Sequence, residues 1–173
     1  MSMADDFAVP AARGVVFIHS APSALCPHVE WAINSALSGE VTMSWQPQPA
    51  EPGSYRAEFS WRGPAGSGAA IASALQGWDL LRFEVTEDAT AYYEGSRYSY
   101  VPELGLFHGV MGVHGDLMIT EDRLKAVRAV AANGEADLNE ALDALLGVPW
   151  DAELEAFRYA GEGAPVRWLH QVV

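Results

Sequence analysis

The chain carries one cysteine, Cys26, so no internal disulfide can staple it, which suits a reducing cytoplasm. Cations are scarce as well: 10 Lys and Arg stand against 23 Asp and Glu, for a formal net charge of −13. A field of that sign repels phosphate backbones and anionic lipid, so neither nucleic acid nor a membrane is expected as a partner. No apolar run approaches the ~20 residues that cross a bilayer. Met1 to Ala12 holds Asp5 and Asp6 rather than a basic stretch followed by an apolar one, so a secretory signal is not expected. Glycine-rich nucleotide motifs and tight zinc-ligand spacings are missing too, and no cofactor is expected.

What is present suits one folded domain. Of 173 residues half are apolar and six are Trp, enough to build a real core. Residues 1–12 read as a loose tail and 13–173 as a single α+β domain. In its first half, 13–88, the pattern runs strand, helix, strand, strand, helix, strand. Gly14 to His19 is apolar on both faces, as a central strand should be. Pro27 opens a helix and Gly39 closes it. Then period-two alternation marks strands over 41–46, 55–62 and 81–86, with a small-residue helix from Ala69 to Gln76 between the last two. This cadence predicts a ferredoxin-like βαββαβ antiparallel sheet, with both helices on one side.

The second half, 97–173, reads as a hairpin followed by helices. Arg97–Val101 and the glycine-rich Leu104–Val113 predict a hairpin that extends the sheet or covers part of its open face. Thr120 caps a helix running to Asn133-Gly134. Asp137 with Glu140 opens another, Pro149 a third, and Pro165–Val173 reads as a final strand.

Four groups of residues have chemical potential. Cys26 at a helix N-terminus would feel the positive end of the helix dipole, which favours the thiolate. With His19 or His28 as base it would make a nucleophile pair for a small hydrolase- or transferase-like enzyme; the competing reading is a small buried hydrophobe. His108, His114 and Asp116 would share one face of an unbroken strand and offer weak metal ligands, although Gly109, Gly112 and Gly115 make that strand doubtful. Gly66, Ser67 and Gly68, where a strand hands over to a helix, present free N–H groups to an anion, or simply a tight turn. Arg56, Arg62 and Arg82 stud the polar sheet face, either to recognise an acidic partner or small anion or to pair with Glu58 and Glu84.

His19-Ser-Ala-Pro22, Leu25-Cys-Pro-His-Val-Glu-Trp31, Arg82-Phe-Glu-Val-Thr-Glu87, Arg97-Tyr-Ser-Tyr100 and Gly112-Val-His-Gly-Asp116 together resemble an uncharacterised actinobacterial family, the domain of unknown function 3145. The resemblance covers the chain from Gly14 onward and implies no activity or catalytic residues. Members tend to be encoded beside fatty-acid synthesis genes, which implies at most a partner or regulator in lipid metabolism. The expected function is therefore a non-catalytic cytoplasmic binding or regulatory protein acting through the polar sheet face and adjoining hairpin. The small enzyme and a structural homodimer pairing sheet to sheet are the alternatives.

Overall fold

β1 (Ala11–Pro22) begins a seven-stranded sheet in a computed structural model that describes residues 10–160. It is followed by α1 (Cys26–Leu37), β2 (Gln46–Pro47), β3 (Ser54–Pro64), α2 (Ser67–Leu75), β4 (Arg82–Glu87), β5 (Gly95–Val101), β6 (Gly105–Met111) and β7 (Leu117–Met118). Three helices close the described chain: α3 (Glu121–Ala132), α4 (Leu138–Leu146) and α5 (Val148–Tyr159). The strand order is β2-β3-β1-β4-β5-β6-β7, and every neighbouring pair is antiparallel. The fold is α+β, as expected.

Alternation along the strands sorts side chains onto two faces. Val16 and Ile18 of β1, Ala57 and Trp61 of β3, Phe83 and Val85 of β4, and Tyr98 and Tyr100 of β5 point one way. There they meet Val29 and Ile33 of α1 and Ile71 and Leu75 of α2, and the two helices pack on each other. Burying a side chain such as Phe83, Ile33 or Leu75 completely stabilises the fold by about 1.5–3 kcal/mol each. The opposite face carries Phe17, Glu84 and Ser99, which β1–β4 and β4–β5 pairing align through Phe17↔Glu84 and Glu84↔Ser99. Helix α5 crosses this face, packing on β1 and β5 with Leu154 fully buried. The sheet is thus covered on both sides along its middle.

Local chemistry sets the helix ends. Pro27 sits in the first turn of α1, where a missing N–H leaves no bond unmade. That helix stops at Ser38 in the left-handed region (φ 53°), one residue before the expected Gly39. Thr120 accepts from the Arg123 N–H, and Asp137 accepts from the N–H groups of Asn139 and Glu140. Gly147, at φ 80°, ends α4 and starts α5 in one residue.

Two expectations need correction. Alternation over 41–46 predicts a full strand, but ladder pairing begins only at Gln46. Val41 and Met43 are buried, yet the Met43 N–H donates to Glu30 Oε1 of α1 instead of a neighbouring strand. A helix side chain has taken the strand's donor. β1 starts at Ala11, inside the tail expected over 1–12, while residues 1–9 of that tail and the final strand expected over 165–173 lie outside the described residues. The hairpin forms as expected, β5 and β6 extending the sheet beyond β4.

Gly14 marks a tight approach between β1 and β4, since a Cβ there would stand 1.8 Å from the Thr86 carbonyl oxygen. Gly14→Ala is expected to lower stability by about 1–3 kcal/mol through forced backbone displacement. Urea denaturation measures it, and an unchanged midpoint would mean that β1 and β4 do not approach so closely.

Candidate functional site

Glu84 lies at the middle of the central strand, between Phe83 and Val85, and the pleat sends it to the face that α5 covers. Its exposure is 0%. A carboxylate so placed survives only if its acceptor positions are filled, and four donor groups fill them. His19 Nε2 lies 2.6 Å from Oε2, beside the register shift in β1 between Ile18 and Ser20. Arg158 of α5 grips both oxygens, Nε donating to Oε2 at 3.0 Å and an NH2 group donating to Oε1. Ser99 donates to Oε1 from the adjoining strand at 3.2 Å. Burial alone would raise the Glu84 pKa, but the His19 hydrogen bond and the His19 and Arg158 charges outweigh it and hold it at about 2. Burial likewise opposes charge on Arg158, and Glu84 and Asp151 overcome it, raising its pKa.

A second ring of contacts ties α5 down around this cluster. Asp151 accepts from Arg158 at 2.9 Å and from Arg97 of β5 at 2.8 Å. Gln48, 1% exposed, donates to the His19 carbonyl at 2.7 Å and to the Phe157 carbonyl at 3.3 Å. Arg82 lies over the Phe157 ring at 4.7 Å and pairs with Glu51 and Glu103, while Ser20 donates to Glu51. Chemically this is an anchor. A carboxylate held near pH 2 with its acceptor sites occupied is a poor general base at neutral pH.

The structure distributes the sequence candidates widely. Cys26 belongs to the apolar cluster under α1 and α2, donates to the Pro22 carbonyl, and has its thiol pKa raised by burial. His19, on the other face, is engaged with Glu84, and His28 is exposed on α1. The Cys26 site therefore opposes thiolate formation, because desolvation, with the Glu30 charge, outweighs the backbone hydrogen bond that favours it. At Gly66, Ser67 and Gly68 the predicted anion-binding N–H groups are real, but Gly66 N and Gly68 N donate to the Glu87 carboxylate, each at 2.8 Å. The chain supplies its own anion there.

Arg56 is half-buried, Arg62 exposed, and Arg82 committed to Glu51 and Glu103. The middle of the polar face expected to carry them lies beneath α5. His108 stacks on Tyr98 at 4.6 Å, and burial together with Arg123 lowers its pKa. His114 and Asp116 sit exposed in the turn between β6 and β7. Among the described residues no group of three or more His, Cys, Asp or Glu side chains is placed to hold a metal. Sequence reasoning missed Arg158, Asp151 and Gln48. Arg158 had a legible signal: it lies four residues after Leu154, on the buried stripe of α5.

Outside this anchor, the outer side of α3 and α4 is exposed among the described residues. Helix α3 buries none of its twelve residues. Between α3 and α4 runs an open groove lined by Lys125, Arg128, Ala129, Ala131, Ala132 and Leu138. Leu124, Val130 and Leu138 are 40%, 37% and 44% exposed beside it.

Because Glu84 titrates at about 2 when folded, below an ordinary 4.5, its contribution to stability is complete above about pH 4.5 and fades as pH falls towards 2. Glu84→Gln should flatten this acid limb in denaturation midpoints measured from neutral pH downward; an unaltered limb would show that Glu84 does not set it. Arg158→Met leaves the buried carboxylate without its bidentate partner and should cost about 3–5 kcal/mol by urea denaturation.

Searches of curated proteins and of solved structures return no match. Residues 15–171 match the family described as Protein of unknown function (DUF3145), and the chain belongs to that family.

Proposed function

We propose that the protein acts by binding a protein partner without catalysis, and that the contact is made through the α3–α4 surface. The observation that carries this reading is a twelve-residue helix, capped by Thr120, with no buried side chain. Most helices in proteins are stabilised by packing an apolar face rather than by propensity, so α3 has a face to spare. Support comes from the interior, where Glu84, His19, Cys26 and Glu87 are each engaged by neighbours of the same chain. The reading moves the contact from the sheet face to the helical hairpin beyond it.

Three finer points belong to the same proposal. A ferredoxin-like βαββαβ assignment for residues 11–87 is supported by the order β2-β3-β1-β4, by antiparallel neighbours and by α1 packing on α2. A cytoplasmic location is supported by the lone, buried thiol, and no helix of the described residues is long and apolar enough to cross a membrane. The alternative of a homodimer pairing sheet to sheet has less support, because α1 and α2 pack on one face of the sheet and α5 on the middle of the other.

The test is affinity capture from native cytoplasm at low salt, with the wild-type chain and with Leu124→Glu/Leu138→Glu. The expected outcome is a protein recovered by the wild type and lost with the variant, while circular dichroism and melting stay unchanged. Identical recovery by both would remove the α3–α4 surface from the reading.

A further inference from the structure

Charge on this chain is not evenly spread. Against the overall −13, α3 holds Arg123, Lys125 and Arg128 beside Glu121 and Asp122, a net of +1, and both acids sit in its first turn while Arg128 lies two turns further along. Lys125 pairs with Glu121 at 2.5 Å, but both side chains are mostly exposed. Such i,i+4 pairs contribute only about 0.3–0.5 kcal/mol, so the ammonium is easily shared with an incoming carboxylate. Arg128 is exposed and has no ion-pair partner among the described residues.

The groove beside these cations has a definite shape. Lys125, Arg128, Ala129 and Ala132 recur at helical spacing along one stripe of α3, and Leu138 of α4 forms the facing wall. Alanines make a low floor on which another backbone can come close. Leucine offers an apolar contact, and the cations line the rim. An apolar trough edged by positive charge is the complement of an amphipathic helix whose polar flank is acidic.

Building on the α3–α4 contact reading, we propose that the groove receives an acidic amphipathic helix of a partner protein. A membrane is disfavoured on the same grounds. A bilayer brings a whole side of this acidic molecule against an anionic plane, whereas a single helix samples only the local patch within a Debye length of about 8 Å. The apolar side chains of α3 are Leu, Val and Ala, without the Trp or Phe that seat an interfacial helix in lipid. A second copy of this chain must bring its own net −13 to the contact.

The test uses the full chain and two synthetic helical peptides with the same leucine stripe, one flanked by glutamate and one by lysine, read by fluorescence anisotropy. The acidic peptide should bind and weaken as salt rises. Lys125→Glu/Arg128→Glu should weaken it at least tenfold, and Lys125→Gln/Arg128→Gln by less, with circular dichroism unchanged. Equal binding to wild type and to the glutamate variant would overturn the proposal. If the lysine peptide binds instead and Leu138→Glu abolishes it, the acidic partner is wrong while the contact surface stands. Cosedimentation with vesicles of phosphatidylcholine and phosphatidylserine in equal parts, lost in the glutamate variant, would replace the protein partner with a membrane. A doubled mass in light scattering, lost with Leu138→Glu, would replace it with a second copy. If no probe binds, both the partner class and the surface fall.

Discussion

A carboxylate with no exposure at the middle of a seven-stranded sheet is the constraint around which the rest of this molecule is arranged. An unpaired charge in that position would cost several kcal/mol. His19, Ser99 and Arg158 answer it from three different elements. Two of those elements are strands already beside Glu84, so their positions follow from the ladder. The third is α5, for which Arg158 specifies one placement across the sheet. Leu154 then buries fully, and Trp150 Nε1 reaches the Gly105 carbonyl at 2.9 Å. Electrostatics selects the position of α5, and apolar burial supplies much of its stability.

This placement also decides what kind of surface is left for function. The α1 and α2 layer covers one face, and α5 covers the middle of the other. Side chains with reactive potential end up satisfied within the body: Cys26 by Pro22, Glu87 by the first N–H groups of α2, and Glu84 by its three neighbours. Among the described residues, exposed Leu124, Val130 and Leu138 lie with Lys125 and Arg128 on α3 and α4, outside that body. Recognition by shape and charge is the use that we propose for this surface.

Much of the fold was legible because period-two alternation at 55–62 and 81–86, and the capping residues Thr120, Asp137 and Gly147, are local signals that local structure obeys. What failed was long-range. Nothing in Val41 to Trp45 announces that the Glu30 side chain will take the Met43 N–H and the Trp45 indole N–H, so the expected strand shrank to Gln46–Pro47. Alternation correctly sent Glu84 away from Phe83 and Val85, but it reports a face and not what covers it. Its partner Arg158 lies 74 residues further along the chain. The sequence leaves Gly66 and Gly68 open as anion donors or as a tight turn; their N–H groups do donate, and the acceptor is Glu87 of the same chain. Local pattern thus described the donors and the faces, and tertiary pairing decided what occupied them.

The central claim is that Glu84 and Arg158 hold α5 to the sheet as one coupled pair. A double-mutant cycle with Glu84→Leu, Arg158→Met and the two combined, measured by urea denaturation at neutral pH, addresses it directly. Coupling predicts that the double variant is less destabilised than the sum of the singles by about 0.5–3 kcal/mol. Additive losses would mean that the two charges do not depend on each other, and would contradict the account.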